Sequence, residues 1–201
     1  VEAELKRQRY VYNRGAANLR RRTSTCVALV INDLANPFFA EFAAGVDEAL
    51  GEKGYVTLLG STGESPERRQ AILGSLMEHM PAGVILSPAE GSDAAQLRKV
   101  LGARANLLLF NRELSGADDW GFLGLDNQRG AQLATEHLIA LGHRRIAFYG
   151  GHADSSSCRQ RRAGHAQAMA QAGLPVDPAW LIESAPNRVD AAARLGELFG
   201  M

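Results

Sequence analysis

The chain has 201 residues, 46% of them hydrophobic, and its 22 basic side chains are matched by 22 acidic ones, enough apolar material to bury a substantial core in one large or two small domains. Cys26 and Cys158 are its two cysteines, with no CxxC and no zinc spacing, which argues against a disulfide framework and fits a reducing cytoplasm. No apolar stretch of membrane-spanning length and no signal-peptide pattern occurs in the sequence, so neither export nor a membrane partner is expected.

The neutral balance hides an asymmetry. Residues 1–24 hold seven basic residues (Lys6, Arg7, Arg9, Arg14, Arg20, Arg21 and Arg22) against Glu2 and Glu4, a net +5, leaving 15 basic against 20 acidic residues, a net −5, on the rest. A basic arm on a mildly acidic body is a footprint of nucleic-acid or acidic-surface binding; a solvated tail is the plainer alternative. Within the arm, Asn13 to Arg20 is a short helix candidate with Ala16 and Leu19 on one side and Arg14, Arg20, Arg21 and Arg22 free to reach phosphates. Small residues with one protruding leucine suit a minor groove, where the leucine can wedge between base steps. An ordinary amphipathic linker has the same spacing, and Gly15 weakens the helix by roughly 1 kcal/mol relative to alanine.

From Thr25 onward, apolar runs alternate with amphipathic segments. Strands are predicted near 26–31, 55–60, 83–87, 106–110, 122–125 and 145–150, with helices at 38–53, 66–80, 93–101, 127–141 and 157–172 between them. Ser65-Pro66 reads as an N-cap and first helical residue, and Gly54, Gly142 and Gly173 fall just past helix ends. The pattern is α/β, with doubly wound parallel sheets. The segment Gly142 to Gly151 restarts it and marks the crossing into a second lobe. That lobe has one more helix, a short strand candidate at 180–183 and a final amphipathic segment containing Val189, Leu195 and Phe199. It reads as incomplete, with apolar faces left uncovered.

Ligands of doubly wound sheets sit at the carboxyl ends of the strands. The residues there are Asn36, Phe38 and Phe39 after the first strand, Ser87 after the third, Asn111 and Arg112 after the fourth, Asp126 and Asn127 after the fifth, and Ser157 and Arg161 beyond the sixth. Other roles compete for several of them. One of the two phenylalanines can be core, Asp126-Asn127 can cap the following helix, and one of Ser155, Ser156 and Ser157 can cap the helix it precedes. The five histidines show no i, i+4 pairing of metal-site type, Gly60-Ser-Thr-Gly63 lacks the Gly-Lys-Ser/Thr ending of a phosphate loop, and no serine sits in a G-x-S-x-G elbow. Neither a metal, a cofactor nor a catalytic group is expected.

Taken together, Tyr10 followed by Asn13, Ala16, Leu19 and Arg20, then Ala28-Leu-Val-Ile31, Asn36-Pro-Phe-Phe39, Gly54-Tyr55, Pro81-Ala-Gly-Val-Ile-Leu86, Asn111-Arg112, Leu125-Asp-Asn127, His137 to His143 and Arg161-Arg-Ala-Gly164 give a chain that resembles the LacI/GalR family of bacterial transcription repressors over essentially its whole length. The stretch from Leu133 to Ser157 looks nearest to repressors of maltose-type sugar systems. The resemblance implies a periplasmic-binding-protein-like fold of type I. Residues 1–10 would be the last helix of a DNA-binding headpiece, 11–24 the hinge helix and linker, 25–143 the N-terminal effector-binding lobe and 144–201 part of the C-terminal one, with later strands lying beyond Met201. It also implies a dimer or higher homo-oligomer bound to operator DNA through Asn13, Ala16, Leu19, Arg20 and Arg22. A small-molecule effector would sit between the lobes, where Phe38 and Phe39 offer flat apolar faces to a sugar and Arg112, Asp126, Asn127 and Arg161 offer forks and acceptors for neighbouring hydroxyls. A sugar-transport solute-binding protein is the alternative on the same architecture, and an enzyme stands open only because fold does not fix function.

Overall fold

The computed structural model describes Arg7 and residues 24–102, 105–186 and 188–200. Five strands form one parallel sheet: β1 (Cys26–Ile31), β2 (Val56–Ser61), β3 (Val84–Leu86), β4 (Leu107–Phe110) and β5 (Gly121–Leu123), in the order β2-β1-β3-β4-β5. Strand order reverses at β1, so the crevice between the loops leaving β1 and β3 is where such a sheet presents a ligand. As the inner strand of a sheet covered on both faces, β1 is wholly apolar, and its alternation supplies two cores. Ala28 and Val30 pack with Leu73, Leu86, Leu97 and Leu109 on one face, whereas Leu29 and Ile31 pack with Phe39, Ala43 and Phe110 on the other.

Local chemistry sets the helix starts. Asn36 and Ser65 accept from the amides of Phe38 and Arg68 ahead of α1 (Pro37–Glu52) and α2 (Pro66–Glu78), each with proline in its first turn. Asp93 accepts from Gln96 N at the start of α3 (Ala94–Leu101), and Asp126 from Arg129 N at α4 (Asn127–Ala140). Gly54, Gly142 and Gly173 follow helix ends at φ +78°, +94° and +67°, a left-handed turn that a side chain resists.

The second sheet has two parallel strands among the described residues, β6 (Phe148–Tyr149) and β7 (Leu181–Ile182). Around it lie α5 (Ser156–Gln171) and α6 (Arg188–Phe199). A single turn of 3-10 helix, Pro178–Trp180, leads into β7. Helix α4, which its place in the sequence groups with the first lobe, packs against α5. The approach is close at Gly164, where an added Cβ would collide with the Gln128 carbonyl oxygen and stand 2.9 Å from Gln132 N. Gln128–Gln167 (3.0 Å) and Asn127–Gln160 (3.2 Å) hydrogen bonds line the same seam. Asp190 in the first turn of α6 accepts from Ser184 Oγ (2.9 Å) and Ala185 N (2.7 Å), tying that helix to the exit of β7.

The predicted strand at 145–150 is thus shortened to Phe148–Tyr149, because one neighbour, β7, pairs with it and that neighbour is itself two residues long. Ser155 occupies the N-cap position of α5 but makes no capping bond. Its hydroxyl instead bonds the Ser157 hydroxyl at 3.0 Å, and Ser156 Oγ accepts from Glu113 N at 3.0 Å, bridging from the loop after β4.

Candidate functional site

Two chambers, of about 250 and 380 Å³, open at the carboxyl ends of the sheets and share Arg112, Ser157, Arg161 and Pro186. The smaller is walled by the loop after β1 (Asp33, Asn36, Phe38 and Phe39), by Glu64 after β2, by Asn111 and Arg112 after β4, by Leu125 after β5, and from the other side by Ser157 and Arg161 of α5. The larger runs from Glu90 and Arg112 past Tyr149, Gly150 and Cys158 to Ser184 and Ala185.

Of the residues expected at this rim, Asn36, Phe38, Phe39, Asn111, Arg112, Ser157 and Arg161 meet in the smaller chamber. Phe39 is core, 5% exposed, while Phe38 is 39% exposed. Phe38 stacks on Phe110 with ring centroids 5.7 Å apart and meets Phe39 edge-on at 5.1 Å, so it holds a flat apolar face toward the cleft. Asn111 sits at φ +69°, a left-handed conformation that asparagine tolerates better than most residues, and this aims the loop after β4 into the crevice.

The other three do not line the chamber. Ser87 is fully buried at the end of β3, with its hydroxyl unpartnered among the described residues. Asp126 caps α4 through Arg129 N at 2.9 Å. Asn127 is buried and works through a neighbour: its Oδ1 accepts from Arg161 Nε at 2.8 Å, which fixes the guanidinium at the cleft. Among the described residues the two Nη groups of Arg161 make no hydrogen bond, and desolvation together with the positive charge of Arg112 lowers its pKa. The hinge residues Asn13, Ala16, Leu19, Arg20 and Arg22 lie outside the described residues.

Sequence reasoning passed over Glu64 and Glu90. Glu64 grips Arg112 bidentately, Nη1–Oε2 at 2.7 Å and Nη2–Oε1 at 2.9 Å, and also accepts from Asn32 Nδ2 at 2.9 Å and Glu90 N at 3.3 Å. It does so from φ +63°, a conformation costing a non-glycine residue about 1–2 kcal/mol. Backbone strain that persists inside a cleft is a mark of function. Glu90 lies 3.9 Å from Arg112 Nη2 and 3.6 Å from His152 Nε2, and His152 Nδ1 is 3.9 Å from Glu183. Burial raises the Glu90 pKa, opposed by Arg112 and His152. The strand-end rule that selected the other rim residues applies equally to the loops after β2 and β3 and would have found both carboxylates. Among the described residues no group of three His, Cys, Asp or Glu is placed to hold a metal ion, and no helix is long and apolar enough to cross a membrane.

A parallel sheet of order 2-1-3-4-5, a second parallel sheet beside it and a polar cleft with aromatic faces at their carboxyl ends define a periplasmic-binding-protein-like ligand domain. A family profile described as periplasmic binding proteins and sugar binding domain of LacI family matches residues 24–200. The chain belongs to that family. It is 33% identical over 198 residues to the maltose regulon regulatory protein MalI of Escherichia coli K12, covering 98% of this chain and 58% of that protein. The crystal structure of a LacI family transcriptional regulator from Mycobacterium smegmatis superposes with a TM-score of 0.75 at 32% identity, covering 87% of this chain and 62% of that one. A complex of the transcriptional regulator CelR with cellobiose gives 0.77 at 26% identity, covering 99% and 60%. The chain therefore spans less than two thirds of the length of each of these relatives.

Proposed function

We propose that the protein is a ligand-responsive, DNA-binding transcription regulator of LacI type, working in the cytoplasm as a dimer or higher homo-oligomer. Its effector is a mono- or disaccharide held between the two sheets. The observation that carries this reading is the cleft itself, where Phe38 offers a flat apolar face opposite Arg161, whose guanidinium is fixed by Asn127. Paired donors on one guanidinium suit neighbouring hydroxyls, and an aromatic face suits the C–H surface of a sugar ring.

Walls drawn from both sheets make the cleft sensitive to their relative orientation. An effector that prefers one orientation shifts the balance by its difference in affinity for the two. Residues 11–24 would pass that shift to DNA as the hinge, following a headpiece segment at 1–10, and the cationic cluster Arg20-Arg-Arg22 supports DNA over a transport role. We place residues 25–143 and 144–201 as the two effector-binding lobes, with α4 docked on the second.

A thermal-shift screen of the full chain against monosaccharides, disaccharides and purines tests the reading. An effector present at 100 times its dissociation constant adds about 2.7 kcal/mol of stability, and the same compound should change affinity for duplexes selected from a random library. Arg161→Ala should abolish the ligand response and leave DNA binding. A sugar that binds tightly without any effect on DNA would return the protein to the transport class.

A further inference from the structure

Among the described residues, the charged side chains that line the two chambers are three carboxylates, Asp33, Glu64 and Glu90, and two guanidiniums, Arg112 and Arg161. Arg112 is already committed. Both of its Nη groups are held by Glu64, Nη1 also donates to Pro88 O at 3.1 Å, and its Nε is buried without a partner among the described residues. An incoming anion would have to displace Glu64 to engage that fork. Among the described residues, Arg161 is then the cation left to a ligand.

From this balance we infer that the cleft selects a neutral polyhydroxy effector against its phosphate esters, and that Glu64 sets the choice by neutralising Arg112. The inference rests on the sugar-binding reading of the site and adds the charge class of the sugar. A phosphate monoester carries about −1.5 to −2 charge at pH 7. Against it stand a lining of net charge −1 and the amino end of α5, worth roughly half an elementary positive charge. With Glu90 in its neutral form the lining rises only to zero, short of what a desolvated dianion demands. A neutral sugar asks only for donors and acceptors, which Arg161, Asn36 and Asn111 supply. The strained φ of Glu64 fits the same role, because that conformation brings its carboxylate onto the Arg112 fork.

The test uses the full chain and two arms. In the first, the melting temperature is followed with inorganic phosphate replacing chloride at constant ionic strength. The wild type should show no phosphate-specific rise, and Glu64→Gln, which frees the Arg112 fork, should gain one. Because Glu64→Gln also strips a buried cation of its counterion and lowers the starting stability, Glu64→Gln/Arg112→Gln is run beside it and should show no gain. A phosphate-specific rise in the wild type, or none in Glu64→Gln, overturns the inference whichever sugar is the effector.

In the second arm, glucose, fructose and ribose are titrated calorimetrically beside glucose 6-phosphate, fructose 1-phosphate and ribose 5-phosphate, with maltose and cellobiose as neutral disaccharides. Every ester should bind at least about tenfold more weakly than its parent sugar, as an added like-charge contact implies. An ester that binds as tightly as its parent overturns the charge selection and leaves the sugar reading standing. Binding of a purine with failure of every sugar counts against the sugar reading itself, a result the phosphate arm does not share.

Discussion

The two sheets of this protein are held together by different means. The five-stranded sheet has dense apolar layers on both faces, with Leu29, Ile31, Leu73 and Leu86 fully buried. The two-stranded sheet relies on fewer buried apolar side chains, among them Ile146, Ala168 and Met169, and on polar ties: the glutamine pairs of the α4–α5 seam, His165 Nε2 against Ile146 O at 3.0 Å, and the bonds to Asp190. Val189 and Phe199 of α6 are exposed. Hydrophobic burial scales with area and tolerates small shifts, whereas hydrogen bonds demand their geometry. The five-stranded sheet therefore owes its stability mainly to buried area, and the two-stranded one to exact polar geometry.

If the contrast holds, its largest signature lies in the apolar layers. Leu73→Ala should cost about 2–5 kcal/mol in denaturant unfolding, whereas Val189→Ala, at a position 78% exposed, should stay within about 0.5 kcal/mol. Equal losses at the two positions would erase the distinction.

The seam between α4 and α5 gives the next effect. Gly164→Ala drives a methyl into backbone atoms of Gln128 and Gln132, and should cost about 1–3 kcal/mol as overpacking does. It should also weaken ligand binding, because it pushes Asn127 away from Arg161. Gly130→Ala, in α4 with open space around its Cβ position, should instead stabilise by up to about 1 kcal/mol. Identical outcomes would mean that the helices are not in close contact.

Capping separates the lobes more finely. Asp126→Ala removes the bond from Arg129 N and should cost about 0.5–2 kcal/mol. Ser155→Ala removes no cap, since the Ser155 hydroxyl bonds Ser157, and its cost should fall below that of Asp126→Ala when both are measured by urea unfolding.

The smallest effects are in pH dependence, and they carry opposite signs. Bonds from Ser184 and Ala185 hold the Asp190 pKa below its usual value. Its stabilisation of α6 is complete above the unfolded value of about 3.9 and is lost as pH falls through the depressed folded value, so Ser184→Ala should shrink the acid dependence. Burial raises the Glu90 pKa, with Arg112, His152 and Glu64 facing it. Its contribution is complete below the unfolded value of about 4.3 and is lost as pH rises through the elevated folded value. Glu90→Gln should remove that loss, and a stability profile against pH that it leaves unchanged would show Glu90 to be solvated.

The first lobe was the more legible from sequence, for the same reason that it is the more apolar. The fully buried run Ala28 to Ile31, the Ser65-Pro66 start and the glycines after α1 and α4 are local signals that tertiary packing did not override. β6 was overread because residues 145–150 resemble a strand, while the length that pairs is set by β7, more than thirty residues away. The rim residues followed from strand ends, and seven of them line the smaller chamber. Asn127 was legible as a rim position, but its grip on Arg161 depends on how α4 and α5 pack, which no local pattern records. Glu64 escaped because its loop was weighed as a phosphate cradle, when what it provides is the carboxylate that holds Arg112.

The chain's two tryptophans fall one to each lobe. Trp120, just before β5, lies under the guanidinium of Arg98 at 4.4 Å from the ring centre, and Trp180 ends the turn that leads into β7. In optical terms each lobe carries its own reporter, and the single-tryptophan variants Trp120→Phe and Trp180→Phe make the two emissions separable without any attached dye. A motion of one lobe against the other leaves the stacked Trp120 dark to the change, while a loosening of the first lobe frees it from Arg98 and alters its emission, so steady-state fluorescence can tell a hinge movement from local melting in a single titration.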